Sequence, residues 1–240
     1  MEYYVIDEHN SSSDGNSVII RGDLYKHLAI VLRKKNSDTI VLSDGKGNIL
    51  ECNILKIDKT SIHCNIFNRK FGLYEPEISV RLFLAPLRNQ SRFEFAVEKA
   101  VEIGVMEIVP VITKYTVTKE IFSKSRYNRL LKIIKSAAGQ SQRCVLPVIN
   151  QVINFSEMIE LTNGSKDKIV MYEHSEKEEN KHFKIKNKKV DLLIGPEGGF
   201  DADEIKILCE QGWIKRSLGK RKLRAETAAI VSLFEIINYL

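Results

Sequence analysis

The sequence is poor in the features that mark several classes of protein. Its four cysteines are widely spaced and form no CxxC pair or Cys/His cluster, so we expect reduced thiols and no disulfide framework. No apolar run approaches the ~18 residues that a membrane-spanning helix needs. The first residues do not have the layout of a secretory signal. These absences predict a cytoplasmic protein that binds no metal ion.

Two common phosphate-binding motifs are also absent. The chain contains neither GxxxxGK(S/T) nor GxGxxG, the glycine-rich loops that hold nucleotide phosphates. A different glycine-rich loop is present at residues 193–199, which read Leu-Ile-Gly-Pro-Glu-Gly-Gly. Its three glycines let a ligand approach the backbone, or they only permit the positive φ angles of a tight connection.

A second loop of the same kind follows about one βα unit later. Residues 218–229 read Leu-Gly-Lys-Arg-Lys-Leu-Arg-Ala-Glu-Thr-Ala-Ala. Both loops follow a short apolar run and lead into a helical pattern, and such loops expose backbone groups to ligands. We therefore expect them to form neighbouring walls of one pocket. A carboxylate such as Glu197 is unfavourable beside phosphate but compatible with a sulfonium, which favours S-adenosylmethionine.

The chain divides into a β-rich first part and an alternating second part. In residues 1–73, short runs rich in β-branched residues predict strands at 18–20, 39–42, 49–57 and 61–67 and hence a small barrel. One helix is expected at about residues 23–33, with Asp23 as its N-cap. Its predicted apolar face consists of Leu24, Leu28, Val31 and Leu32.

From residue 74 onward, strands and helices alternate, as is typical of a largely parallel sheet. Predicted strands are residues 80–85, 105–111, 168–172, 190–194 and 214–218. Predicted helices are residues 92–103, 123–138, 201–212 and 227–240, with Gly104, Asp201 and Thr227 as caps. The charged stretch 173–189 is expected to be a loop or a short helix. The pattern predicts an α/β fold with domains at 1–73 and 74–240.

An ordered set of motifs resembles one known family. The Gly-Pro-Glu-Gly-Gly loop and the Leu-Gly-x-x-x-Leu-Arg-x-Glu-Thr-Ala-Ala segment are similar to those of the 16S ribosomal RNA uridine N3-methyltransferases. Upstream, Arg92-Phe93-Glu94-Phe95, Lys99-Ala100 and Glu102-Ile103-Gly104-Val105 resemble that family's central segment. His27-Leu28 with Val31-Leu32-Arg33 resembles its N-terminal domain. The resemblance implies a PUA-like β-barrel that helps hold RNA, and a SPOUT methyltransferase domain with a trefoil knot. It also implies a homodimer with the active site at or near the interface.

The resemblance implies S-adenosyl-L-methionine as the cofactor, bound largely by backbone groups. The implied cofactor-binding residues are Ile194, Gly195, Pro196, Glu197, Gly198, Gly199, Leu218, Gly219, Leu223, Arg224, Thr227 and Ala228.

The chemistry at uridine N3 suggests catalytic roles for three residues. N3 carries a hydrogen, so its lone pair becomes available only when that proton leaves. Arg224 is the candidate to stabilise the resulting anion, whose charge spreads over O2 and O4. Glu197 and Glu226 are the candidate bases. The structural alternative is that Glu226 is only a first-turn carboxylate favoured by the helix dipole.

The basic residues point to small-subunit ribosomal RNA as the partner. The net charge is +6, and all but +1 of it lies after residue 73. Lys220, Arg221 and Lys222 surround the second loop and are predicted to contact phosphates. Arg33, Arg88, Arg92 and Arg143 match the family's motifs and are further RNA-contact candidates, although Arg92 has the alternative of pairing with a glutamate. The cations along helix 123–138 fit RNA contact and a solvated face equally well.

Several points qualify this prediction. Lys220 and Ala225 stand where the family usually has Pro and Thr, and Ala225 lacks a hydroxyl that would reach cofactor or base. The apolar final helix suggests a dimer interface. The alternatives are a SPOUT enzyme acting on another RNA atom, such as a ribose 2′-hydroxyl, and a non-catalytic RNA-binding assembly factor. Naked ribosomal RNA and the assembled small subunit are both open as the substrate.

Overall fold

The computed structural model describes residues 3–6, 11–13, 15–118, 122–173 and 185–239. It divides into two compact units, Met1–Glu75 with Lys135–Leu146 and Pro76–Ile134 with Pro147–Leu240. The first change of unit follows Glu75, close to the boundary expected after residue 73. The return of residues 135–146 to the first unit is a difference from the predicted division.

The first unit contains a six-stranded, mainly antiparallel sheet. Its strands are β1 (Tyr3–Val5), β2 (Ser11–Ser13), β3 (Ser17–Ile20), β4 (Thr39–Ser43), β5 (Asn48–Ile57) and β6 (Ile62–Phe71). Their order is β1-β4-β5-β6-β3-β2, and only β1 and β4 are parallel. Inward-facing residues such as Val18, Leu42, Ile54 and Ile62 form its core. This confirms the β-rich N-terminal domain that the short strands predict.

The helical segment between β3 and β4 differs from the predicted helix. α1 (Gly22–Tyr25) is a single turn that continues into a π-helical stretch at Lys26–Val31. Arg21 occupies the N-cap position and no side chain caps the helix, so the prediction of Asp23 as the N-cap is wrong.

The π-helical stretch also changes which residues are buried. It bonds each residue to the fifth one before it, as Leu32 N–H does to the carbonyl of His27 at 2.9 Å. The 3.6-residue period therefore fails here. Leu28 is buried as predicted, whereas Val31 is 67% exposed and Leu32 is 41% exposed.

The second unit contains a seven-stranded parallel sheet. Its strands are β7 (Ser79–Leu84), β8 (Glu107–Ile112), β9 (Val148–Ile149), β10 (Ile153–Asn154), β11 (Asp167–Met171), β12 (Lys189–Ile194) and β13 (Ile214–Arg216). Their order is β10-β8-β7-β12-β11-β13, with β9 also paired to β8. The five longer strands were predicted. β9 and β10 have two residues each, which is too short for a hydrophobic period to show.

Five further helices accompany this sheet and the segment that joins it to the first unit. They are α2 (Gln90–Ile103), α3 (Lys124–Gln140), α4 (Phe155–Leu161), α5 (Ala202–Glu210) and α6 (Ala225–Tyr239). Gly104 ends α2 in the left-handed conformation, and Asp201 with Glu204 forms the capping box of α5, both as predicted. Among the described residues, no helix has the length and apolarity to cross a membrane.

Two predictions about the C-terminal half are not confirmed. α6 begins at Ala225, so Thr227 lies inside its first turn and is not its N-cap. The predicted helix start is two residues too late, because Thr is a common cap residue and the prediction placed the cap at Thr227. Most of the charged stretch 173–189 lies outside the described residues.

Residues 135–146 join the first unit through a buried carboxylate. The Glu75 carboxylate accepts hydrogen bonds from the backbone N–H groups of Cys144 and Val145, each at 2.9 Å. It also pairs with Arg143, whose Nη2 lies 2.8 Å from Glu75 Oε2 and whose side chain is only 3% exposed. The predicted RNA contact of Arg143 is therefore wrong, because its guanidinium is buried in an internal ion pair.

Candidate functional site

A cleft of ≈ 590 Å³ opens where three neighbouring parallel strands end. It is lined by residues that follow the carboxyl ends of β12, β11 and β13. Ligands of α/β sheets bind in this crevice, outside the carboxyl ends of the strands. Its walls are residues 171–173, 194–200, 216–219 and 221–225, with Arg92, Ala202 and Ala228. The two predicted loops therefore form neighbouring walls of one cleft. We call it the loop cleft.

The glycines of these loops have two different roles. A Cβ on Gly195 would lie 2.8 Å from the Phe200 ring, and one on Gly198 would lie 3.0 Å from the Tyr115 Cβ, so both glycines permit packing within the protein. Gly199 and Gly219 have φ angles of +73° and +118°, and a Cβ on either would meet no atom within 4 Å. These last two therefore supply the backbone turns while leaving space open.

A polar anchor holds the Tyr115 side of this wall. The Tyr115 hydroxyl and Lys114 Nζ both donate to Asp201 Oδ2, at 2.9 and 2.8 Å. The bond from Lys114, followed by the one from Tyr115, keeps the pKa of Asp201 below its ordinary value. Asp201 also caps α5. One carboxylate thus fixes both the helix start and the residue that packs on Gly198.

An ion-pair network forms the side of the loop cleft next to α2. The Arg92 guanidinium makes a bidentate pair with Glu226, with Nε–Oε1 and Nη2–Oε2 distances of 2.8 and 2.6 Å. Arg92 Nη1 also lies 3.6 Å from Glu197 Oε1. That same Glu197 oxygen accepts the backbone N–H of Arg88 at 3.2 Å. Arg92 therefore links the glycine loop to the first turn of α6.

The two candidate bases have different places in this network. Burial raises the pKa of Glu226, but the hydrogen bonds from Arg92 and its own backbone N–H outweigh burial and leave that pKa below the ordinary value. A base works best when its pKa lies near the working pH. Glu226 is also not part of the cleft lining, whereas Glu197 is. These observations favour its alternative as a structural first-turn carboxylate, and Glu226 as the base stays a prediction.

Two more ion pairs surround the loop cleft. Lys222 Nζ lies 3.2 Å from Glu173 Oε1, and both side chains are exposed. This pair joins the loop after β13 to the end of β11. Arg216 Nη2 lies 2.9 Å from Glu235 Oε1 on α6 and is largely buried. Arg221 and Arg224 are exposed and also line the cleft.

A second, more open cleft of ≈ 640 Å³ adjoins the first. It is lined by Arg88, Asn89, Arg92, Val117 and Glu197. Arg92 and Glu197 line both clefts, so these two side chains form a shared wall. We call this the Asn89 cleft.

Comparisons with known proteins identify the family. Residues 74–236 match a family model described as an RNA methyltransferase domain, and residues 20–67 match one described as an RNA methyltransferase PUA domain. The chain is 36% identical over 187 residues to ribosomal RNA small subunit methyltransferase E of Mesomycoplasma hyopneumoniae, covering 77% of this chain and 81% of that one. The chain belongs to the ribosomal RNA small subunit methyltransferase E family.

Solved structures agree with this family assignment. The Neisseria gonorrhoeae methyltransferase E, whose crystal structure contains S-adenosyl methionine, has a TM-score of 0.85 and 26% identity, covering 97% of this chain and 95% of that one. A Legionella pneumophila structure described as a putative methyltransferase with bound cofactor SAM has a TM-score of 0.82 and 25% identity, covering 98% and 96%. The methyltransferase E of Bacillus subtilis is 27% identical in sequence, with 90% and 88% covered.

Most of the predicted site residues of this methyltransferase E family member meet at the loop cleft. The cleft contains Ile194, Gly195, Pro196, Glu197, Gly198, Gly199, Leu218, Gly219, Arg221, Lys222, Leu223, Arg224 and Ala228. Arg92 is there as well, but in the ion pair that was its alternative. Thr227 and Lys220 do not line it, and Arg88 lines only the Asn89 cleft. Arg33 is an exposed residue of the first unit with a φ of +52°.

Sequence reasoning missed one wall of the loop cleft. Met171 is the last residue of β11, which lies between β12 and β13, and Tyr172 and Glu173 follow it. The strand itself was predicted, so its carboxyl end offered the same positional signal as the two glycine loops. Phe200 was missed because side-chain packing decides its place. Among the residues that the structure describes, no group of three His, Cys, Asp or Glu side chains forms a metal site.

The cations of α3 also acquire partners. Arg129 makes a bidentate pair with Glu94, with distances of 2.7 and 2.9 Å. The Arg126 guanidinium lies over the Phe122 ring at 4.0 Å from its centroid. These contacts favour a structural role for Arg126 and Arg129 over RNA contact.

Proposed function

We propose that this protein transfers a methyl group from S-adenosyl-L-methionine to N3 of a uridine in 16S ribosomal RNA. The observation that carries the proposal is the loop cleft, in which two glycine-rich loops and Glu197 meet at the carboxyl ends of three parallel strands. The relatives in this family are named as ribosomal RNA methyltransferases, and the Neisseria structure contains this cofactor.

The loop cleft suits S-adenosylmethionine in size and chemistry. Its ≈ 590 Å³ lies in the range of small-molecule pockets. Gly199 and Gly219 leave open space beside the backbone, where amide groups can bind the adenosine part. Glu197 and Glu173 place carboxylates where a sulfonium is favourable. Ile194, Leu218 and Leu223 supply the apolar contacts.

The chemistry assigns separate roles to the side chains of the wall. The N3–H bond breaks as its proton passes to a base, and the nitrogen lone pair forms the N–CH3 bond while the donor's S–CH3 bond breaks and its electron pair stays on sulfur. Glu197 is the candidate base because it borders both clefts. Arg224 is the candidate to stabilise the negative charge on O2 and O4. Glu226 holds Arg92 in place.

RNA binding involves both parts of the chain in this proposal. The exposed cations Lys220, Arg221 and Lys222 contact phosphates around the loop cleft. Residues 1–73 act as the PUA-like domain that holds more distant RNA, with Arg33 on its exposed surface. Residues 74–240 hold the cofactor, and the trefoil knot of the superfamily remains an expectation for them.

The protein is proposed to work in the cytoplasm as a homodimer. α6 leaves Val231, Phe234 and Tyr239 between 42% and 74% exposed, and Phe95 of α2 is 46% exposed. α2 and α6 pack on one another, so their exposed apolar residues belong to adjoining helices. A second copy of the chain would cover them.

The deciding experiment follows an isotopically labelled methyl group into RNA. Ribosomal RNA from a strain lacking the gene is incubated with the protein and labelled S-adenosylmethionine, both as naked RNA and as assembled subunits. We expect mass spectrometry of the nucleosides to find the label on N3 of uridine. Label on a ribose would support the 2′-hydroxyl alternative. Failure to bind S-adenosylmethionine in calorimetry would support the assembly-factor alternative.

A further inference from the structure

The Asn89 cleft lies directly beside the loop cleft and shares a wall with it. Arg92 and Glu197 line both, so the two clefts meet at these two side chains. The cleft is ≈ 640 Å³, which leaves room for a base that remains attached to a longer strand.

Asn89 offers this cleft a hydrogen-bond donor in a fixed place. Its Oδ1 caps α2 by accepting the backbone N–H groups of Ser91 and Arg92, at 2.9 and 3.4 Å. Only the oxygen of an amide accepts, so the cap also fixes which atom is nitrogen. Among the described residues, Nδ2 has no hydrogen-bond partner. Asn89 is exposed, so this donor is accessible to a ligand in the cleft.

Arg88 and Glu197 complete a set of polar groups around it. The Arg88 backbone N–H holds Glu197 Oε1 at 3.2 Å, while the Arg88 residue is exposed and its guanidinium has no ion-pair partner in the part of the chain that the structure describes. Glu197 is an acceptor with a half-exposed side chain. Val117, 67% exposed, supplies apolar surface suited to the face of a base.

We propose that the Asn89 cleft binds the target uracil, with Asn89 as a specificity-determining residue. The inference rests on the proposed function. The edge of uracil presents an acceptor, a donor and an acceptor at O4, N3–H and O2, whereas cytosine presents a donor at N4 and a bare acceptor at N3. Two donors, Asn89 Nδ2 and Arg88, line this cleft together with the Glu197 acceptor, and this set matches uracil and mismatches cytosine. As N3 loses its proton to Glu197, negative charge grows on O2 and O4; each oxygen accepts from one of these two donors, and one of the oxygens keeps a second lone pair for Arg224 on the loop-cleft side.

Two substitutions at Asn89 test this role without removing the helix cap. Asn89→Asp and Asn89→Ser both keep an oxygen that caps α2, but both lose the amide donor. Asn154→Asp is the matched control, because Asn154 also caps a helix, α4, through its side-chain oxygen and lines neither cleft. The measurements are methyl transfer to ribosomal RNA from the deletion strain, S-adenosylmethionine affinity and melting temperature.

Both Asn89 variants should lower kcat by about 10²-fold, with cofactor affinity and melting temperature close to wild type, while Asn154→Asp changes none of them. Asn89→Asp should also narrow the affinity gap between RNA with the mapped uridine and RNA with cytidine there, since its carboxylate accepts the cytosine amino group. Wild-type turnover in Asn89→Ser, with a loss only in Asn89→Asp, would indicate charge repulsion and overturn the inference. If the wild-type protein methylates no uridine, the proposed function itself fails.

Discussion

The two clefts share a wall but differ in the chemical groups that line them. The loop cleft is shaped mainly by backbone, through glycine turns at the ends of parallel strands. The Asn89 cleft is shaped by side chains, two arginines, a glutamate and a capping asparagine around one valine. The backbone groups of the loop cleft bind one cofactor that never varies, whereas the side chains of the Asn89 cleft discriminate between bases. The comparison teaches that cofactor binding and base selection can be changed separately.

The largest expected effect is at Arg224, on the loop-cleft side of this comparison. Arg224→Ala removes a donor from the charge that develops on O2 and O4, so kcat should fall ~10²–10³-fold while cofactor affinity changes little. Arg224→Lys keeps the charge without the planar fork and should recover part of the loss. If Arg224→Ala changes only RNA affinity, Arg224 positions RNA and does not stabilise the anion.

Breaking the Arg92–Glu226 ion pair at the shared wall should lower the free energy of unfolding. Glu226→Gln removes the carboxylate that pairs with Arg92 and leaves only the more distant Glu197 beside this guanidinium. We expect the free energy of unfolding to fall by about 1–3 kcal/mol, measured by denaturant titration. The control is Glu173→Gln, which breaks an exposed pair with Lys222 and should cost less than about 1 kcal/mol. Equal effects would show that the Arg92 pair is no stronger than a surface contact.

The same pair predicts an acid dependence. Because the folded pKa of Glu226 is lowered, its stabilising contribution is complete above the unfolded value, near 4.5, and is lost as pH falls through the lower folded value. The stability difference between wild type and Glu226→Gln should therefore be constant near neutral pH and shrink only below about 4.5. A difference that shrinks between pH 8 and 6 would contradict this assignment.

The smallest effect is expected at Lys222 on the rim. Lys222→Ala removes an exposed cation, so the salt slope of RNA binding should become shallower by about one unit. Turnover at saturating RNA should stay nearly intact. A loss of turnover as large as that of Arg224→Ala would move Lys222 from RNA positioning into the chemistry.

Features that depend on local backbone chemistry could be predicted from the sequence. The strand-to-helix loops, the capping box at Asp201 and the left-handed Gly104 follow from residue types at fixed spacings, and the structure confirms them. Because parallel strands end at one edge of a sheet, the meeting of the two loops was also predictable.

Features that depend on contacts between distant residues could not be predicted. Arg143 and Arg92 both match the family motifs as RNA-contact candidates. Arg143 nevertheless pairs with Glu75, 68 residues away, and Arg92 pairs with Glu226, 134 residues away. No periodicity encodes such pairs. The predicted apolar face of the helix at residues 23–33 was wrong for a different reason. The π-helical stretch at Lys26–Val31 replaces the 3.6-residue period on which that prediction was based.

Calorimetry with S-adenosylmethionine on two glycine variants tests the central claim, that the loop cleft binds this cofactor by close backbone approach. Gly199 and Gly164 have similar positive φ angles, +73° and +85°, and a Cβ on either meets no protein atom within 4 Å. Alanine therefore strains both positions alike, but only Gly199 lines the cleft. We predict at least about a tenfold loss of affinity in Gly199→Ala and wild-type affinity in Gly164→Ala. Equal affinities in the two variants would contradict the account.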